Sequence, residues 1–417
     1  MIILHIRQKF YQREEIKMGS STQIVPLRRS FIRFPTQVEF GAGMLQRIGE
    51  FTASYGKRAY CLLDPFFRGS AAAEKALSAL HEVGIETFQS YEVHPNPRAA
   101  DIDARAKECL EQKCDFVIAI GGGGTLDIGK AIAFLVTNGR SAWDYTVKEN
   151  QFYHSITIPP LPFVAVPTTA GTGSEATIYS VINNPEIQRK CTIRSFELYP
   201  KLAIIDPELM LGIPPMLTAL TGIDTFAHAF ESYTNKNATL YSKMVAMESM
   251  RLFAENIIPC VEDGMNLEAR ANMAFSSLLG GLAISHSPTT LPHIIGQCLS
   301  GWVDAPHGGS LAVCLSQVIR WTLPNGQKEF AEIARVISPD LVSATDAEAA
   351  EALPELVDKL FLRIMGNQRV TMKTYGMCED RAEEFATFIY NNYQNDMSNY
   401  LRVPTQEELY QIIRECL

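Results

Sequence analysis

Phe116-Val117-Ile118-Ala119-Ile120-Gly121-Gly122-Gly123-Gly124-Thr125-Leu126-Asp127-Ile128-Gly129-Lys130 is the stretch on which the fold turns. An apolar, β-branched run reaches four consecutive glycines, and Asp127 and Lys130 follow at helical spacing. This order describes a strand, a turn without side chains and a helix. Glycine admits φ > 0 and lets a ligand approach the backbone N–H groups closely. The helix that follows turns its positive end to the same spot. The stretch therefore predicts a phosphate cradle, and implies a nucleotide or dinucleotide as ligand. Its spacing is not G-x-G-x-x-G, because Leu126 stands where the last glycine belongs, and it is not a Walker A loop.

Outward from this stretch, residues 58–207 alternate strand-like and helix-like segments. Arg58–Asp64 reads as a strand and 69–83 as an Ala/Leu-rich helix. Glu86–Val93 is strand-like, Arg98–Lys113 helical, Phe116–Ile120 a strand and Thr125–Thr137 a helix. Phe163–Thr168 and Leu202–Asp206 are further apolar, β-rich runs. Alternation at this spacing predicts a parallel sheet covered on both faces. Ile178–Ile182 and Lys190–Ser195 flank Asn183-Asn184-Pro185, a hairpin turn. After Ile213-Pro214-Pro215 the apolar residues recur at helical spacing, as in Met244–Glu255, Ala271–Ala283, Leu356–Met365, Arg381–Tyr390 and Gln406–Cys416. The expected organisation is an N-terminal extension over 1–23, an α/β nucleotide-binding domain over 24–213 and an all-α domain over 214–417.

The 417 residues suit two or three domains. An apolar content of 47% and a charged content of 20% are those of a soluble globular chain. The net charge of −9, without a basic block, argues against nucleic acid or an anionic membrane as partner. An anionic cofactor then needs local donors such as the glycine loop. The nine cysteines are scattered, odd in number and form no C-x-x-C pair, which predicts reduced thiols and a cytoplasmic location. No apolar run reaches the ~18–20 residues of a membrane span. Met1–Met18 lacks the apolar block and cleavage site of a signal peptide.

Three further constellations carry chemistry. In Gly222–Glu231, Asp224 and His228 are four apart, on one helical face ~6 Å apart along the axis. They can share a metal; equally, they can be a helix-start Asp with a hydrogen-bonded His. His293 and His307, in glycine-containing, weakly charged segments, can complete an N₃O set suited to Fe²⁺ or Zn²⁺; singly each reads as a core or surface histidine. Val166–Glu175 is a strand running into hydroxyls and glycines. It can bond a cofactor's ring or ribose, or simply end a strand with an N-cap at Ser174. Asp64, at the end of an early strand, can bind the adenine-ribose hydroxyls and repel a 2′-phosphate, favouring NAD over NADP; it can also be a turn-forming Asp before Pro65.

In this order the segments resemble the iron-containing (group III) alcohol dehydrogenase family. The resemblance runs from about Phe34 to Val318. It takes in Pro95-Asn96-Pro97, Gly121–Lys130, Thr168–Glu175, Lys201–Leu209, Thr221–Glu231 and Pro306-His307-Gly308. It implies a dehydroquinate synthase-like fold, with a dinucleotide-binding α/β domain joined to a helical metal-binding domain. It also implies metal ligands at Asp224, His228, His293 and His307. His286 competes with His293, but lies two turns, ~10 Å, before it, so both do not easily bind one ion. The pyrophosphate is implied at Gly122, Gly123 and Gly124, with Asp127 closing the motif. Thr168, Thr169 and Thr172 are implied near the nicotinamide and ribose, Lys190 at the ribose or phosphate, and Asn96 among the cofactor-binding residues. The implied reaction is hydride transfer between a small alcohol, aldehyde or ketone and NAD, in a homodimer. The alternatives are 2-hydroxyacid oxidation or transhydrogenation, polyol oxidation of the glycerol dehydrogenase kind, and a dehydroquinate synthase-like lyase. The ligand segments Ile284–His293 and Cys298–Pro306 are poor in Lys and Arg, which disfavours the lyase. One position departs from the family: many members carry a second His four residues after the third ligand, where this chain has Gln297.

Overall fold

The computed structural model describes residues 30–94, 96–148, 151–152 and 154–417. The expected extension over 1–23 and Pro95 lie outside them. By its contacts the chain separates after Phe31, and the sheet, helices and site all belong to Ile32–Leu417.

Strands β1 (Gln37–Phe40), β2 (Arg58–Leu63), β3 (Glu86–Ser90), β4 (Phe116–Gly121), β7 (Phe163–Pro167) and β10 (Leu202–Ile205) form one sheet in the order β1-β10-β7-β4-β2-β3. Every pairing in it is parallel. Helices α1 (Ala71–Glu82), α2 (Ala99–Glu111) and α3 (Gly123–Asn138) make the crossovers. β4 and β7 are buried along their whole length, as strands covered on both faces must be. Two apolar clusters, one on each face, do the covering. β5 (Val147–Lys148) and β6 (Gln151–Phe152) form a small antiparallel pair, and β8 (Tyr179–Asn184) and β9 (Arg189–Arg194) form the expected hairpin.

Most boundaries fall within two or three residues of expectation; the β5–β6 pair is unexpected, the helices expected over Met244–Glu255 and Leu356–Met365 run over Leu240–Glu262 and Asp346–Ile364, and two further differences stand out. β1 is not expected from sequence, because its four residues, Gln-Val-Glu-Phe, only alternate polar with apolar, are partly or fully exposed and lie at the sheet edge. The helix after the glycines begins at Gly123, not Thr125, and none of Gly121–Gly124 has positive φ. The glycines therefore serve close approach rather than a left-handed turn. A Cβ on Gly123 would lie 2.2 Å from Thr172 Cγ2, and one on Gly121 2.4 Å from Thr125 Oγ1.

The register aligns Leu63 with Ile120 and Gly121 with Pro167, so the loops after β2, β4 and β7 emerge at one edge. The chain reverses its direction of travel across the sheet between β2 and β4. The carboxyl edge at such a switch point is where open α/β sheets bind ligands.

After β10 the chain is helical. α4 (Pro215–Thr234), α5 (Leu240–Glu262), α6 (Leu267–His286), α7 (Leu291–Val303), α8 (His307–Thr322), α9 (Gln327–Ile337), α10 (Asp346–Ile364), α11 (Ala382–Asn392) and α12 (Gln406–Glu415) follow in turn, and α4, α6, α7, α8 and α11 carry residues to the site. Pro215 opens α4 at a position where its missing N–H costs nothing. One face of α4 buries Phe226 and Phe230 against Phe253 and Phe330, with ring centroids 5.2 and 5.8 Å apart. Each such side chain contributes about 1.5–3 kcal/mol. That burial fixes the rotation of α4 and hence the direction in which its polar face points.

Candidate metal centre and cofactor cleft

Asp224, His228 and Glu231 lie on α4 at spacings of four and three, on one face. His293 is the third residue of α7 and His307 the first of α8. Gly308 lets α8 start against α4: a Cβ there would sit 2.0 Å from Leu220 O. Three helices thus bring one carboxylate and three imidazoles together, with four candidate ligand atoms all within 4.8 Å of one another. Nε2 of His228, His293 and His307 lies 3.5, 3.5 and 3.3 Å from Asp224 Oδ1. Yet Asp224 Oδ1 and His293 Nε2 are buried without a hydrogen-bond partner among the described residues. Burying polar atoms unpaired is costly, and a divalent cation at their centre would satisfy both. The donor set is also the N₃O set of borderline divalent ions. The residues present fit the metal.

Burial alone would raise the Asp224 pKa, but the facing His228 and His307 hold it well below the usual carboxylate range. Burial lowers His228 to about 4 and lowers His307 as well, leaving both neutral and able to ligate at pH 7. His293 is raised to about 9: burial opposes its charge, but Glu231 and Asp224 outweigh it. His286 is not part of the cluster. Its Nδ1 donates to Leu282 O at 2.8 Å and its Nε2 accepts from Arg33 N at 3.1 Å.

A cavity of about 700 Å³ joins this cluster to the sheet edge. Asn96, Gly123, Gly124, Asp127, Thr172 and Lys190 line it together with all four cluster residues; Asp64, Gly122, Thr168 and Thr169 do not. Gly122 nonetheless faces Thr169, whose Oγ1 would be 3.6 Å from an added Cβ. Asp64 caps the turn after β2, accepting from Phe66 N at 3.0 Å. Both Asp127 oxygens are engaged by protein, Oδ1 by Ser174 Oγ at 2.7 Å and Oδ2 by Val181 N at 2.9 Å. Asp127 therefore ties the threonine loop and the hairpin to α3. Ser174 spends its hydroxyl on that bond, and Gly173, not Ser174, occupies the cap position of the turn. Lys130 is buried beneath, donating to Thr177 O, Thr177 Oγ1 and Tyr179 O at 3.1, 2.9 and 2.8 Å.

Across the cleft, Asn96 Nδ2 donates to Asp304 Oδ1 at 2.5 Å and Lys190 Nζ lies 3.4 Å from Asn96 Oδ1. Gln297 Nε2 donates to Lys190 O at 2.8 Å, linking α7 to the hairpin at the position where the family pattern expects a histidine. Sequence reasoning found the ligand segments poor in cations, but the hairpin carries Arg189, Lys190 and Arg194 to the same cavity. It also passed over Glu231, whose spacing from Asp224 and His228 was the available signal.

Glu175 is buried under the threonine loop, and burial raises its pKa to about 7, only partly countered by its own N–H and Lys130. The folded value exceeds the unfolded 4.5, so this group's stabilising contribution is complete below pH 4.5 and is lost as pH rises to about 7. At about 1.4 kcal/mol per pKa unit the loss is on the order of 3 kcal/mol at most. Glu175→Gln is expected to flatten the dependence of chemical-denaturation stability on pH between 4.5 and 7. An unchanged slope would assign the titration elsewhere.

Comparison with known proteins agrees with this architecture. Residues 35–207 match the family described as Iron-containing alcohol dehydrogenase, and residues 218–417 match that described as Fe-containing alcohol dehydrogenase family, C-terminal. A 1,3-propanediol dehydrogenase from Klebsiella pneumoniae is 35% identical over 328 residues, 78% of this chain and 84% of that protein. A solved 1,3-propanediol oxidoreductase superposes with a TM-score of 0.86 at 31% identity, over 94% of this chain and 100% of that one. A sulfoacetaldehyde reductase from Bifidobacterium kashiwanohense, solved with NAD+, gives a TM-score of 0.82 at 26% identity, over 93% and 99% of the two chains.

Proposed function

This chain belongs to the iron-containing alcohol dehydrogenase family, a metal-dependent oxidoreductase using iron and NAD, and from that premise we propose that Asp224, His228, His293 and His307 hold its catalytic ion. The observation that carries the reading is four ligand atoms within 4.8 Å lining the same cavity as Gly123 and Gly124.

When bound, the ion supplies a Lewis acid for the substrate oxygen and the nicotinamide a hydride acceptor. The chain does the rest. The N–H groups at the start of α3 and the helix's positive end take the pyrophosphate on Gly122, Gly123 and Gly124. Thr168, Thr169 and Thr172 border the nicotinamide and ribose, Asn96 and Lys190 close the ribose side, and Asp127 holds this loop in place. Asp64 at the end of β2 favours the unphosphorylated ribose of NAD over NADP. The two halves of the cleft align the reacting carbons and keep water out. Gln297 can hydrogen-bond but cannot take a proton, so it would not relay the proton of the alcohol; its amide is held by Lys190 O.

The same N₃O set accepts Zn²⁺. We take 1–23 as an extension, 24–213 as the NAD-binding domain and 214–417 as the metal-binding domain, in a cytoplasmic homodimer acting on small alcohols or aldehydes. Among the described residues no helix is long and apolar enough to cross a membrane. One observation supports a second reading: Arg189, Lys190 and Arg194 at the cavity suit the carboxylate of a 2-hydroxyacid better than the ligand segments alone suggest.

Anaerobic purification with metal analysis, followed by turnover of alcohols, diols and hydroxyacids with NAD⁺ and NADP⁺, tests this. Near-stoichiometric iron and NAD⁺-linked oxidation of small alcohols are expected. A metal-replete enzyme that oxidises only hydroxyacids would favour the second reading, and one inert towards all three classes would overturn both.

A further inference from the structure

We infer that Glu231 is the positioning residue of the metal centre: its carboxylate sets the tautomer and aim of His293 and docks the start of α7 onto α4. This rests on the metal assignment proposed above. Glu231 is completely buried. Its Oε2 accepts from Thr290 N at 2.6 Å, Thr290 Oγ1 at 3.1 Å and His293 N at 3.3 Å. Its Oε1 faces His293 Nδ1. The N–H groups at the start of a helix have no partners within it, and Thr290, at the cap position of α7, makes no side-chain cap bond. A carboxylate from another helix does that work. Two further bonds stitch the same linker to α4: Ser287 Oγ to Ser232 O at 3.0 Å, and Asn235 Nδ2 to Pro288 O at 2.8 Å.

The chemistry of the carboxylate gives the bond its meaning. Both oxygens only accept, so His293 Nδ1 is the donor. With Nδ1 keeping its proton on that bond, Nε2 is the nitrogen whose lone pair a cation would take, its own proton leaving as the cation binds; Nε2 is buried at the cluster centre without a hydrogen-bond partner among the described residues. A hydrogen bond to the distal nitrogen fixes a ligating imidazole's tautomer and orientation. Glu231 and Asp224 together also supply two negative charges, matching a divalent ion in a site where two helix N-termini bring positive potential.

Glu231→Gln separates these roles. A carboxamide has one acceptor, and the three donors around Oε2 claim it. Its NH₂ then faces His293 Nδ1, which must accept, so the proton moves to Nε2 and points at the ion. Metal affinity, read by competition of Co²⁺ between the metal-free enzyme and a chelator, is expected to fall about 10- to 100-fold. Lost affinity with a cobalt d–d spectrum of altered intensity supports the role. A double-mutant cycle distinguishes aiming from mere support. In a His293→Ala background, Glu231→Gln should cost less than threefold further; a cost as large as in the parent would make Glu231 structural only and overturn the inference. So would a folded Glu231→Gln enzyme binding Co²⁺ within twofold of the parent. If Glu231→Gln does not fold, Glu231→Asp, which withdraws the charge by one methylene, is read in the same way. The metal assignment itself fails separately, if Asp224→Ala binds Co²⁺ like the parent.

Discussion

Replacing Asp224 and His228 together by alanine is expected to empty the metal centre and abolish measurable alcohol oxidation. The double variant removes the only carboxylate of the cluster and one of its three imidazoles, leaving two histidines on two different helices. Lewis-acid stabilisation of the developing alkoxide is worth several kcal/mol, and each 1.36 kcal/mol is tenfold in rate. The expected fall in kcat/KM is therefore ~10³-fold or more, and bound metal should drop from near one ion per chain to trace. Both side chains lie on the polar face of α4, away from the Phe226–Phe253–Phe330 packing, so the variant should keep its far-ultraviolet circular dichroism. Full metal content with full NAD-linked oxidation would sink the assignment.

The second large effect is expected at Gly123. An alanine methyl would be driven to 2.2 Å from Thr172 Cγ2, 2.5 Å from Thr172 Oγ1 and 2.8 Å from Thr172 Cβ. All the side-chain atoms of one short residue are too close, so rotation about χ1 cannot relieve the clash. Either the start of α3 or the threonine loop must move. Overpacking of this kind costs about 1–3 kcal/mol, and if it falls on cofactor binding, KM for NAD⁺ rises roughly tenfold to a hundredfold. Metal content should not change, because the cluster belongs to α4, α7 and α8. Adding Thr172→Gly should recover part of the loss. An unchanged KM in Gly123→Ala would mean that the loop gives way freely and that the glycine has another purpose.

The two experiments probe features that were legible in the sequence to different degrees. The β4–glycine–α3 unit follows from local rules: a buried parallel strand is apolar throughout, and the residues after it lack side chains. What local reading missed was a further reason for the glycines. With no positive φ among Gly121–Gly124, the constraint on Gly123 comes from Thr172, some fifty residues away, which no local pattern reveals. The same holds for the cations. Cys298–Pro306 contains no Lys or Arg, but Arg189, Lys190 and Arg194 reach the cavity from a hairpin that is remote in sequence. β1 escaped notice because an exposed edge strand of four residues has no continuous apolar run to announce it.

The sequence by itself determined the alternation of strands and helices, the switch to helix after Ile213, and the Asp224/His228 face, because these depend on periodicities of two and 3.6 residues within single elements. Which histidines meet was open to spacing alone and was implied only by the family resemblance; the physical reason for it lies in the tertiary structure. His293 and His286 are similar in sequence terms. One is carried to Asp224 at the start of α7, while the other is spent on Leu282 and Arg33 at the end of α6. The difference lies in the rotation of α4, set by its buried phenylalanines, and in Glu231 holding α7 against it. Such contacts join residues from 27 to 100 positions apart, and their energies belong to packing rather than to the local chain.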